Sequence, residues 1–199
     1  MLLGISCSRP QQVTEDTPII TSPLTNLKTE QPLPSTETVR IHFSRFDPTF
    51  RFSAILPSDW EVGYIPEIQA IYIFDPDVSA SSNVEKSQLF IRQFRANTFL
   101  TLGTVTVLDT KELVIQGHAA KEYRIQKKST VRDFPFQPTW RNEEHLVTDI
   151  RFQETENSLF YVFAQQPGIN TTTAKTFFAS LQFDNDTTST LSHEQLRVE

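Results

Sequence analysis

Four histidines (His42, His118, His145, His193) and one cysteine, Cys7, are the side chains best suited to metal or nucleophilic chemistry in this chain. No two histidines stand at ligand spacing, and zinc sites draw on His and Cys in clusters, so neither a metal nor a cofactor is expected. The run Glu143-Glu144-His145 sets carboxylates beside an imidazole, which is the raw material of an acid-base pair. The plainer reading makes it the polar start of a strand. His118 follows Gly117 and reads as a solvated turn residue. Ser58 and Ser180 lack the Gly-x-Ser-x-Gly setting of an activated serine. Glycines at 4, 63, 103, 117 and 168 are too scattered for a phosphate-cradling loop. Asp75-Pro76-Asp77 pairs two carboxylates without the alternating ligand series of a calcium loop, so it reads as a turn. Lys127-Lys128 with Arg132 reads as a solvated basic strand end. Two tryptophans offer flat faces on which a sugar ring stacks. Trp60, beside the Pro57 turn, reads as a core plug. Trp140, set between Pro138 and Arg141 in a loop, reads as the better ligand platform, so Trp140 and Arg141 are the binding candidates. No catalytic set emerges, and a non-enzymatic role is expected.

The rest of the chain must position these residues. Its 199 residues carry 18 Lys+Arg against 24 Asp+Glu, a net charge of -6. Nucleic-acid binding, which relies on clustered basic residues facing phosphates, is therefore not expected. No run reaches the roughly 18 apolar residues of a membrane-spanning helix. All 22 aromatics (16 Phe, 4 Tyr, 2 Trp) fall between Phe43 and Phe183. Aromatic rings dominate cores, so the folded body is expected over 41–183, where the charge is nearly balanced. Residues 8–40 hold Pro10, Pro18, Pro23, Pro32 and Pro34 among Thr, Ser, Gln and Glu. Such a composition cannot bury enough apolar surface to offset its ordering entropy, and a disordered linker is expected there, with an edge strand near Pro18-Ile20 as the alternative. The polar segment 184–199 reads as a flexible tail.

Within the body, alternation is the main signal. Phe50, Phe52, Ala54 and Leu56 sit at period two. Strands are also expected at 70–74 and 88–94, twice within 104–127 around a turn at Gly117, and over 146–152 and 159–163, the last two as an antiparallel hairpin. Residues 129–140, with Pro135 and Pro138, read as a loop. Ala174, Phe177, Phe178 and Leu181 fall at i, i+3, i+4 and i+7, the stripe of a helix over about 171–181 capped by Asn170 or Thr171. Six or seven strands and one helix make an α+β fold, an antiparallel sheet flanked by a helix.

The order of three segments resembles the PsbP-like domain family. Phe50-Arg51-Phe52-Ser53-Ala54-Ile55-Leu56-Pro57-Ser58-Asp59-Trp60 is similar to its aromatic opening strand and Pro-x-x-Trp turn. Val114-Ile115-Gln116-Gly117-His118-Ala119-Ala120-Lys121-Glu122-Tyr123 is similar to its Gly-x-x-Ala-x-x-Tyr strand turn, and Phe177-Phe178-Ala179-Ser180-Leu181-Gln182-Phe183 to its closing helix and short strand. The resemblance covers roughly 45–183 and implies an α-β-α sandwich, with a second helical layer for which the sequence offers only Thr98–Gly103, rich in poor helix formers. It carries no residue-level activity across.

Cys7 stands in Leu3-Gly4-Ile5-Ser6-Cys7, which looks like a degraded bacterial lipobox, with Ser6 as the small residue before a lipid-modified cysteine. Only six residues precede it, none charged, where a signal peptide needs a charged start and an apolar stretch. A truncated start would account for this. Residues 1–7 are thus expected to be the remnant of a signal peptide and lipobox. The expected protein is a membrane-tethered, extracytoplasmic bacterial binding or assembly domain whose partners are the membrane surface, through a lipid on Cys7, and a protein or envelope component. A stray thiol and a cytoplasmic location follow instead if the start is complete. The functional alternative is a small-molecule or carbohydrate-binding domain, or a weak hydrolase, using a cleft near Trp140.

Overall fold

In a computed structural model, residues 37–98, 100–153 and 158–184 are described, and all lie in the compact unit Pro34–Glu199. Cys7, most of the expected linker and the tail beyond Asp184 lie outside them. Ten strands occur among the described residues. β1 (Thr38–His42) and β2 (Phe52–Pro57) are followed by β3 (Glu61–Ile65), β4 (Ala70–Phe74) and β5 (Ser87–Ala96). The long hairpin β6 (Val105–Ile115) and β7 (His118–Lys127) comes next, then β8 (His145–Gln153) and β9 (Ser158–Gln165). Helix α1 (Thr171–Ala179) and the two-residue β10 (Gln182–Phe183) close the unit. The strands form two antiparallel sheets, ordered β1-β2-β10 and β3-β4-β5-β9-β8-β7-β6. The fold is α+β, mostly antiparallel sheet with one α-helix among the described residues.

Local chemistry explains the boundaries. The Asn170 side chain accepts hydrogen bonds from the amides of Thr172 (2.9 Å) and Thr173 (3.2 Å), satisfying donors that a helix start leaves free. The β6–β7 turn places Gln116 and Gly117 at φ 50° and 81°, the two positive values a tight hairpin needs to match strand twist. β1 starts at Thr38, so Thr38, Val39 and Arg40, expected in the linker, are strand residues. Arg40 earns that place by donating to Ser53 Oγ (3.1 Å) and to the Ser180 carbonyl (3.0 Å).

The seven-stranded sheet has two unlike faces. Alternation along β4, β5, β9 and β8 puts Ile71, Ile73, Leu89, Ile91, Tyr161, Phe163 and Ile150 on one of them, all buried. The centre of that face is covered by α1 and the small sheet. Phe52 of β2 meets Tyr161 and Phe163 edge-on at 5.2 and 5.6 Å, and Phe177 of α1 meets Phe163 at 5.8 Å. Edge-to-face rings match positive rim to negative face, which adds to burial. Tyr161, otherwise enclosed, donates its hydroxyl to the Thr49 carbonyl (2.9 Å). The other face carries Phe90, Val162, Ala164, Val147, Tyr123 and Ile125 and is covered by loop segments, including the single turns Leu100–Thr104 and Thr139–Asn142.

Candidate functional site

Seven strands at about 4.8 Å spacing make a sheet about 29 Å wide. Nine helical residues span roughly 14 Å, on a rod about 10 Å across. α1 and the short strands beside it therefore cannot cover the whole face, and β8, β7 and β6 overhang. The overhang forms a cleft of about 680 Å³. Leu113 and Ile115 of β6, Leu146 of β8 and Phe178 of α1 supply apolar walls, and Thr148 and Gln165 supply buried polar groups. One end is fixed where Gln116, at the hairpin tip, donates to the Ala179 carbonyl at the end of α1 (2.8 Å). At the rim, Arg124 and Glu144 pair at 2.7 Å.

The expected site residues occupy different surroundings. Trp140 is only 7% exposed, its indole NH donates to Ser87 Oγ (3.3 Å), and its ring meets His145 edge-on at 5.6 Å. The stacking role expected of Trp140 is at odds with this position, because packing leaves too little of the ring open for a sugar. Arg141 lies half-buried with its guanidinium 5.4 Å from the centre of the Phe90 ring, and it borders a second cavity of about 240 Å³ on the opposite face of the sheet. Its pKa is pushed down to about 10 by burial and by the nearby Arg92 charge.

Glu143-Glu144-His145 leads into β8, as its plainer reading has it, and no carboxylate among the described residues is set against the imidazole. Glu144 turns to Arg124, and His145 Nδ1 lies 2.8 Å from the Glu143 backbone carbonyl rather than from a carboxylate. That contact assigns the proton to Nδ1, leaving Nε2 as a bare acceptor with no partner. Burial holds the imidazole neutral, with its pKa down to about 4. His118, expected as a solvated turn residue, is half-buried on Phe152, ring centres 4.0 Å apart, because it is the first residue of β7 and alternation puts it on the same face as buried Ala120. Trp60 packs at the margin of that core, as expected of a plug. Asp75 accepts the Asp77 amide (2.9 Å), a local turn bond. Lys127 of the basic cluster pairs with Asp133 at 2.8 Å. Among the described residues, no group of three or more His, Cys, Asp or Glu is placed to hold a metal.

Two residues escaped the sequence reading. Asp149 is fully buried, a charge removed from water, and is held by the Lys121 amide (3.0 Å), the Tyr123 hydroxyl (3.2 Å) and Arg151 (3.1 Å). Arg92 stands in mid-β5 between Phe90 and Phe94. Period two puts all three side chains on one face, so a cation on an apolar stripe was the available signal.

No family model matches the chain, and no curated protein does. Among solved structures, it is similar to a protein of Bacteroides thetaiotaomicron at 12% identity and a TM-score of 0.31, over 74% of this chain and 48% of that one. It thus spans about half the length of that protein. It is also similar to the cyanobacterial PsbP (CyanoP) of Synechocystis sp. PCC 6803 at 13% identity and a TM-score of 0.40, over 81% of this chain and 99% of that one.

Proposed function

We propose that the chain is a non-catalytic, PsbP-like binding domain that works at the extracytoplasmic face of a bacterial membrane, tethered by a lipid on Cys7. The cleft under α1 supports this reading. Its walls are largely apolar, and its charged lining is balanced, Arg124 paired with Glu144 and Lys175 set against Glu122 in sign. Such a surface gains free energy by burying apolar area, at about 25 cal/mol per Å². The occupant we assign is an apolar segment of an envelope protein, because the 680 Å³ cleft takes several side chains and the mixed, neutralised rim selects no single ionic ligand. The tether would bring the cleft to partners at the membrane surface, where one acyl chain alone binds only reversibly and two or more give stable anchoring.

Two experiments test the two halves. Full-length protein should partition into the detergent phase and lose that behaviour on Cys7→Ser; partitioning indifferent to the substitution removes the tether. A photo-crosslinking residue at Val114, 76% exposed on the cleft's outer strand, should capture an envelope protein, and Leu146→Glu should abolish the capture. Capture that survives Leu146→Glu would remove the cleft from the account.

A further inference from the structure

Among the described residues, three buried side-chain atoms lack any hydrogen-bond partner: Arg92 Nε, Arg141 Nε and His145 Nε2. All three belong to one place. Arg92 and Arg141 border the 240 Å³ cavity on the loop-covered face, and Arg141 and His145 border a small adjoining cavity that shares Thr104, Phe134 and Gln137 with it. Buried polar atoms are nearly always paired, so a cluster of exceptions points to a missing partner.

The same face shows how this chain neutralises a charge when the charge is structural. Asp149 receives three donors. In the cross-strand row Lys121, Asp149, Val162, Arg92, Ala70, that carboxylate lies two strands from Arg92 and is already committed to Arg151, Tyr123 and the Lys121 amide. Asp133 is taken by Lys127, and Glu85 by the amide and hydroxyl of Thr139. No carboxylate pairs with Arg92 or Arg141 among the described residues. Among the described residues the Arg141 guanidinium donates to the neutral Gln137 amide oxygen alone, and burial lowers the pKa of both arginines. Two neighbouring guanidiniums without a counter-charge are costly in a half-buried setting, and an anion would relieve that cost.

We propose that this cavity binds a small monocarboxylate with an apolar body, its carboxylate held by Arg92 and Arg141. The guanidinium edge presents parallel N–H groups that match a carboxylate's two oxygens. Phe90, Phe94, Val162 and Ala164 wall the remaining space, and Phe134 lies on the roof. A bare inorganic anion would use the charged end and leave those walls unfilled. A sugar would find no row of polar partners. The roof also carries Phe136 at φ 64°, a left-handed conformation that a bulky residue seldom holds, beside Gln137 and Phe134. Strain of this kind gathers at ligand clamps. The inference rests on different residues from the cleft under α1 and stands or falls without it.

Titration calorimetry of the full chain with octanoate, 3-phenylpropionate and 4-methylvalerate is the test. At least one should bind saturably, and the matching alcohol should not compete. Arg92→Met keeps the stem and removes the charge. It should weaken the acid by roughly tenfold or more, the worth of a charge-assisted hydrogen bond. The same variant should melt higher than the parent when empty, since an unpaired cation has gone. Val114→Asp, in the other cleft, should leave the affinity unchanged. Any one of four results overturns the proposal: no saturable binding of the three acids, an alcohol that binds as well as its acid, inorganic phosphate that binds as well as the acids, or undiminished binding by Arg92→Met. An empty Arg92→Met protein that melts lower would make the guanidinium a structural element, and that also overturns it.

Discussion

The two faces of the seven-stranded sheet solve burial differently. On the side of α1, Phe52, Tyr161, Phe163 and Phe177 interlock, and the one hydroxyl among them finds a backbone carbonyl. On the opposite side, an apolar stripe of the same strands is interrupted by Arg92, roofed by loop, and bordered by all three orphaned polar atoms. A face built only for stability would not keep a cation between two phenylalanines. The difference separates an aromatic centre that is closed under α1, with a cleft only where the sheet overhangs it, from a loop-covered face that keeps room around a cation.

Truncation gives the largest effect and the sharpest contrast. Phe177, on the inner face of α1, is wholly buried, and Phe177→Ala should cost about 3–5 kcal/mol through lost transfer and the cavity left behind. Phe94 is half-buried on the other face, stacked on Phe160 at 5.2 Å and open to the cavity. Phe94→Ala should cost about half as much. Urea unfolding of both variants measures the two losses. Equal losses would erase the distinction between the faces.

Acid should act on one face through His145. Its folded pKa, about 4, lies below the roughly 6.5 of an unfolded histidine. Between those values the unfolded chain binds a proton that the folded chain refuses. His145 therefore favours folding fully above about pH 6.5 and progressively less as the pH falls, by up to about 1.4 kcal/mol per pH unit. Down to pH 4.5 that amounts to about 2–3 kcal/mol. His145→Gln should be flatter than the parent by that amount when urea midpoints are compared at pH 7.5, 5.5 and 4.5. Parallel curves for the two proteins would mean that the imidazole already takes up a proton in the fold.

The strand pattern was legible where side chains alternate cleanly. Phe50 to Leu56, Leu146 to Phe152 and Leu159 to Phe163 announced β2, β8 and β9, and the Ala174, Phe177, Phe178 stripe announced α1. β3 was not foreseen, because Glu61–Ile65 is five residues long with Gly63 in the middle and only Val62 and Tyr64 to show the period. Gly63 is needed there: a Cβ would stand 2.1 Å from the ring of Tyr72, its cross-strand partner. The sites were less legible than the fold. Arg141 and Trp140 were read together as one platform, yet Arg141 borders a cavity while Trp140 beside it is a packing residue, and the difference lies in which way a single 3-10 turn points each side chain. Arg92 needed the register with Val162 and Ala70 before its isolation was visible. The cleft is made by overhang, the mismatch between one short helix and seven strands, and no residue spells that out.

The smallest effects probe whether the helix side owes its cleft to α1 alone. Asn170 holds the first turn of α1 by two hydrogen bonds, and Asn170→Ala should lose about 1 kcal/mol, the usual worth of such a cap. The loss should loosen α1 over the cleft without reaching Arg92 or Arg141, which sit across the sheet. Val114, by contrast, is exposed on the outermost strand, and Val114→Thr should stay within about 0.5 kcal/mol of the parent. Hydrogen exchange reads both. Asn170→Ala should speed exchange of the amides of α1 and leave β5 and β9 protected, whereas Val114→Thr should change neither. Faster exchange at β5 in Asn170→Ala would mean that the two faces open as one unit, and that the separation drawn between them is not mechanical.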